Sequence, residues 1–121
     1  MRTTFLKGTT GLDPVEHSVL AQALNQLWAR FLPQIEERVA ILESAASAFT
    51  AGQLSAGQSA AASSAAHKLA GVLGTFGLAR GTDLGRELEI IYSREGGPDP
   101  ALGERIVEIT ARLRDLIEDF K

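Results

Sequence analysis

No stretch of this chain alternates apolar with polar residues over a useful length, so the sheet-forming period of two is missing. Apolar residues recur instead at helical spacing, helix formers dominate, and β-branched residues are scattered. Proline and glycine then cut the helical pattern into pieces. Asp13-Pro14, an N-cap followed by proline at the first helical position, opens a first helix. Its stripe is Val15, Val19, Ala23, Leu27 and Phe31, widened by Leu20, Leu24 and Trp28. Pro33 has no backbone N–H and is expected to break or kink that helix. A second helix carries Ile35, Val39, Leu42, Ala46 and Phe49 and stops at Gly52. Ser55-Ala56-Gly57-Gln58 has the spacing of a capping box and opens a third, running to about Gly74. After a turn around Thr75 to Gly77, a fourth helix holds Leu84, Leu88 and Ile91 and ends before Gly96-Gly97-Pro98, the clearest breaker. Asp99-Pro100 restarts a fifth, with Leu102, Ile106, Ile109, Leu113, Leu116, Ile117 and Phe120 inward.

Short connections force sequential helices to pack antiparallel. The expected fold is therefore all-α: an up-down-up-down four-helix bundle over about residues 33–120, with an additional N-terminal helix. Residues 1–12 read as a flexible arm and 13–121 as one helical domain, which 121 residues suffice to build.

Several function classes drop out on composition. A net charge of −3 with 12 Lys and Arg leaves no footprint for a polyanion, so nucleic acid is not an expected partner. The apolar runs are too short to span a bilayer or to serve as a signal peptide, so no membrane association and a cytoplasmic setting are expected. The chain has no cysteine, hence no thiol chemistry. No GxSxG, no P-loop and no HExxH occurs, and no Glu lies three residues before either histidine, so no metal site is expected. His17 stands alone beside Glu16.

His67 is left. On a helical wheel Ala62, Ala65, Ala66, Leu69, Val72, Leu73 and Phe76 share one side, and His67 points away from it. Its neighbours one turn away are Ser63, Ser64, Ala70 and Gly71, with Ala60 and Gly74 a turn further. Solvated helix faces normally carry long charged side chains, and each glycine in a helix costs about 1 kcal/mol relative to alanine. A bare stripe around an exposed imidazole, a good nucleophile near neutral pH, reads as clearance for a docking protein.

The segment His67-Lys68-Leu69-Ala70-Gly71-Val72-Leu73-Gly74-Thr75-Phe76-Gly77-Leu78, followed by Thr82-Asp83-Leu84-Gly85-Arg86-Glu87-Leu88-Glu89, resembles the histidine-containing phosphotransfer (HPt) domain of two-component phosphorelays. His67, Leu69, Gly71, Gly74, Phe76 and Gly77 carry the match, and Glu89 falls where that family often has a glutamate. The resemblance implies a phosphocarrier without kinase activity of its own, in which His67 accepts a phosphoryl group from a receiver-domain aspartate or a kinase and passes it on. It implies receiver domains and a sensor or hybrid histidine kinase as partners, with Mg²⁺ held by the receiver and no cofactor here. Glu89 is then the candidate to orient the imidazole, and Ser63, Ser64, Ala70, Gly71 and Gly74 the docking surface.

One position departs from the family pattern. A lysine usually stands three residues after the histidine, where this chain has Ala70; Lys68 and Arg86 are the candidate substitutes for supporting the phosphate. That departure keeps two alternatives in view: an interaction module that has lost the chemistry, and a structural oligomerisation bundle pairing through its alanine-rich face. A free-standing monomeric shuttle is the expectation.

Overall fold

The structure, a computed structural model, describes residues 14–121. The arm at 1–12 and the Asp13 cap lie outside the described residues. Four α-helices follow one another, α1 (Pro14–Thr50), α2 (Ala56–Thr75), α3 (Ala79–Ser93) and α4 (Gly103–Phe120), with a one-turn 3₁₀ helix, Pro100–Leu102, ahead of α4. Among the described residues there is no strand.

The first two expected helices are one, because α1 runs through Pro33 without a break. Proline's fixed φ suits a helix, and what it removes is one N–H, the donor to the carbonyl of Ala29. Pro33 and Ala29 are both exposed residues, and on the exposed side of a helix the loss of an internal partner costs least.

The chain forms two compact units, one up to Leu32 and one from Pro33 onward. In the first, Val15, Val19, Leu20 and Leu24 are exposed, at 71, 61, 48 and 39%. In the second, α2 opens on Ser55, whose Oγ accepts from the Gln58 backbone N–H while the Gln58 side chain accepts from the Ser55 N–H. The same helix closes at Gly77, where φ is +76° and the Leu78 N–H returns to the Leu73 carbonyl.

The pairings within this second unit are antiparallel. Gly103 meets the Phe49 ring, Arg114 meets Glu43 and Lys121 meets Glu36, so α4 runs back along the second half of α1. Ser59 meets Tyr92 and Thr82 meets Ala70, so α3 runs back along α2. Ile35, Val39, Leu42, Leu69, Leu73, Leu88, Ile106, Ile109, Leu113 and Ile117 are fully buried between these helices. Each such Leu or Ile contributes roughly 1.5–3 kcal/mol of burial, set against the entropy of ordering the chain. The expected inward positions Phe49, Leu102, Leu116 and Phe120 are only half-buried, at the margin of the core.

Candidate functional site

His67 lies in the middle of α2 with its side chain 71% exposed, and it is not isolated. Its Nδ1 stands 3.0 Å from Oε2 of Glu89, on the outward side of α3. A carboxylate only accepts hydrogen bonds, so in the neutral imidazole this contact favours the tautomer with the hydrogen on Nδ1, whose Nε2 lone pair is free.

The helix wheel treats α2 as having one buried side, but α3 covers an adjacent flank. Ser59 Oγ donates to the Tyr92 carbonyl at 2.8 Å and Ser63 Oγ to the Glu89 carbonyl at 3.3 Å. From the other side, Thr82 Oγ1 donates to the Ala70 carbonyl at 2.9 Å. His67 therefore stands on the edge of the α2–α3 seam, which is how a residue 22 positions away reaches its ring.

The expected docking surface needs correction. Ala70 is 4% exposed and packs against Gly85 of α3, so it is part of the seam and not of any surface. Ser63 is half-buried with its hydroxyl engaged by α3. Gly74 is exposed, yet a Cβ there would lie 3.0 Å from Thr82 Oγ1, so its bareness also serves helix approach. Ser64 and Gly71 are exposed, and a Cβ on Gly71 would meet nothing within 4 Å. Gly71 is thus the glycine whose missing side chain leaves open space beside His67.

Lys68 and Arg86 are both exposed. The antiparallel register sets Arg86, one turn before Glu89, level with residues 66 to 70 of α2. Neither cation forms an ion pair among the described residues, and neither is bonded to His67 or Glu89. Among the described residues no three His, Cys, Asp or Glu are grouped to hold a metal, and no helix is long and apolar enough to cross a membrane.

The wheel also misses a concavity. A groove of about 1500 Å³ starts at His67 and Glu89 and follows Ser64, Ala60 and Ala56 toward Gly97 and Pro98, with Val107 on its far wall. It lies on the N-terminal side of His67, opposite to Gly71 and Gly74. The sequence signal for it is the same breaker that ends α3: Gly96 and Gly97 take φ of +85° and +96°, turning the α3–α4 connection into the groove's end wall. Tyr92 lies beneath, 2% exposed, and desolvation pushes its phenol up to about 12.

The Hpt domain family matches residues 26–121, and the chain belongs to that family. Histidine phosphotransfer is the activity the family implies, and its members are phosphocarriers that interact with receiver and kinase domains of two-component systems. The chain is also 39% identical over 66 residues to Protein RcaC of Microchaete diplosiphon; the match covers 54% of this chain and 10% of that relative. The chain thus corresponds to a small part of the length of the curated relative it matches. No solved structure matches significantly.

Proposed function

We propose that His67 is the phosphoacceptor of a cytoplasmic phosphorelay intermediate, taking a phosphoryl group from one receiver aspartyl phosphate and delivering it to the aspartate of another. The observation that carries this reading is the exposed imidazole with Nδ1 held 3.0 Å from Glu89, which leaves Nε2 as the available nucleophile. Phosphoryl transfer needs in-line attack and charge stabilisation more than covalent machinery, and the partner supplies most of the latter. Nε2 forms the bond to phosphorus as the bond from phosphorus to the aspartate oxygen breaks, and that electron pair leaves on the receiver carboxylate. The Nδ1 hydrogen stays in place facing Glu89, which offsets the positive charge developing on the ring. The return step reverses these movements on a second receiver.

Mg²⁺ belongs on the receiver, and this chain contributes no cofactor. Lys68, directly after the histidine, and Arg86, level with it on α3, are the cations that stand in for the family lysine near the transferred phosphate. Ser64 and Gly71 provide the close approach, and the groove from Ala60 to Pro98 takes the rest of the partner's surface.

His67→Gln tests this. The variant is expected to fold as the wild type does and to take up no acid-labile phosphate from a phosphorylated receiver, a complete loss. Acid-labile, base-stable phosphate on that variant would move the acceptor elsewhere. A wild-type chain that binds receivers but never carries phosphate would make it an interaction module.

A further inference from the structure

We propose that Gly85 is a positioning residue for His67: the absence of its side chain sets the α2–α3 separation at which Glu89 reaches the imidazole. The inference rests on the reading of His67 as the acceptor and extends it to how the ring is held.

A Cβ built on Gly85 would fall 2.9 Å from Ala70 Cβ, 3.1 Å from the Ala66 carbonyl oxygen and 3.2 Å from Ala70 Cα. Two of these are backbone atoms and the third is attached directly to backbone, so no rotamer change relieves them. The helices themselves must part, since relaxed carbon contacts need about 3.5–4.0 Å. Gly81 differs in degree: a Cβ there meets Leu73 Cδ1 at 2.7 Å, the far end of a flexible side chain, while Leu73 Cβ lies further off, at 3.3 Å, and no backbone atom comes as near.

The Gly85 contact lies on the same rung of the seam as the reactive pair. His67 sits directly after Ala66 and one turn before Ala70, and Glu89 sits one turn after Gly85. A 3.0 Å hydrogen bond tolerates little displacement before it fails, at about 3.5 Å. The hydroxyls of Ser63 and Thr82, each bonded to a carbonyl of the opposite helix on either side of this rung, hold the spacing. Ala70 faces Gly85 with its Cβ, so the seam closes here on a single methyl group.

The experiment reads the ring directly. The ¹⁵N chemical shifts of His67 in the full chain report the balance between Nδ1–H and Nε2–H tautomers, compared across wild type, Gly85→Ala, Gly81→Ala and Glu89→Ala. Gly85→Ala is expected to shift the balance toward Nε2–H, approaching Glu89→Ala, which has no acceptor for the Nδ1 hydrogen. Phosphorylation of its His67 by phosphoramidate, a small donor that needs no docking, is expected to slow about tenfold. Gly81→Ala is expected to lower the melting temperature while keeping the wild-type balance, which separates positioning from general loss of packing. A wild-type balance in folded Gly85→Ala overturns the proposal, and so does a wild type indistinguishable from Glu89→Ala. If Gly85→Ala does not fold alone, adding Ala70→Gly removes the shortest contact and leaves the two at 3.1 and 3.2 Å. That double variant is expected to lie between wild type and Glu89→Ala, and a balance equal to wild type overturns the proposal. Failure of wild-type His67 to take phosphate would remove the acceptor reading and leave the tautomer comparison standing.

Discussion

The two sides of α3 are held by opposite kinds of chemistry. Toward α2 the seam is neutral and close: Gly81 and Gly85 face Leu73, Ala66 and Ala70, and hydroxyls bond to opposing carbonyls. Toward α4 the contact is ionic and looser. Arg105 reaches Glu87 with a fork of two hydrogen bonds, 2.6 and 2.7 Å, and also bonds Glu108 at 2.9 Å. The far side of α4 repeats this, with Arg114 bonded to Glu36 and Glu43 and Lys121 to Glu36. Long charged side chains tolerate small errors in helix spacing, whereas a glycine–alanine contact does not. The candidate acceptor stands on the close side, where spacing is set most tightly, and the ionic side joins helices without bringing any group to His67.

Three measurements would break or sharpen that contrast. Ala70→Leu puts three further carbons into the close seam and is expected to cost about 1–3 kcal/mol in denaturant unfolding. A change below about 0.5 kcal/mol would show that the seam is not tightly packed. Arg114→Ala removes the shared partner of Glu36 and Glu43 on the ionic side, where such partly exposed pairs are worth roughly 1 kcal/mol or less, and a larger loss would reverse the ranking.

The pH dependence is the smallest effect and differs in sign between the two sides. Lys121 and then Arg114 hold the Glu36 carboxyl below its ordinary 4.5, and Arg105 does the same for Glu87. Carboxyls depressed on folding contribute stability above pH 4.5 that is lost as pH falls below it. Arg114→Ala should therefore show a shallower acid loss than wild type in melting curves. Tyr92, beside the close seam, is raised from 10 to about 12 by desolvation. Its contribution is complete below pH 10 and is lost as pH rises through about 12, with Arg114→Ala behaving there as wild type does. Equal alkaline losses in wild type and Tyr92→Phe would detach the phenol from that behaviour.

Much of this was legible from residue order, because the signals are local. The capping box at Ser55 and Gln58, the breaker at Gly96 to Pro98 and the inward positions of α4 depend on spacing alone. Pro33 was legible as a missing donor but not as a tolerated one, since its cost depends on whether Ala29 faces solvent. The segment around His67 likewise singled out an exposed imidazole with nothing bulky beside it, whereas Glu89, in the next helix, was indicated only by the family resemblance.

By itself, then, the sequence determined an all-helical chain and pointed to His67 as its candidate acceptor, since helical period and residue type are properties of neighbours along the chain. Only the tertiary structure decided which small residues are surface and which are seam. Gly71 and Gly85 read alike in sequence; one opens onto empty space and the other onto Ala70, because α3 lies against one flank of α2 and not the other. The same placement turned Ala70 from a docking residue into a packing residue and brought Glu89 to the imidazole. A helix wheel assigns faces relative to one core, and it cannot say which neighbouring helix will cover the flank.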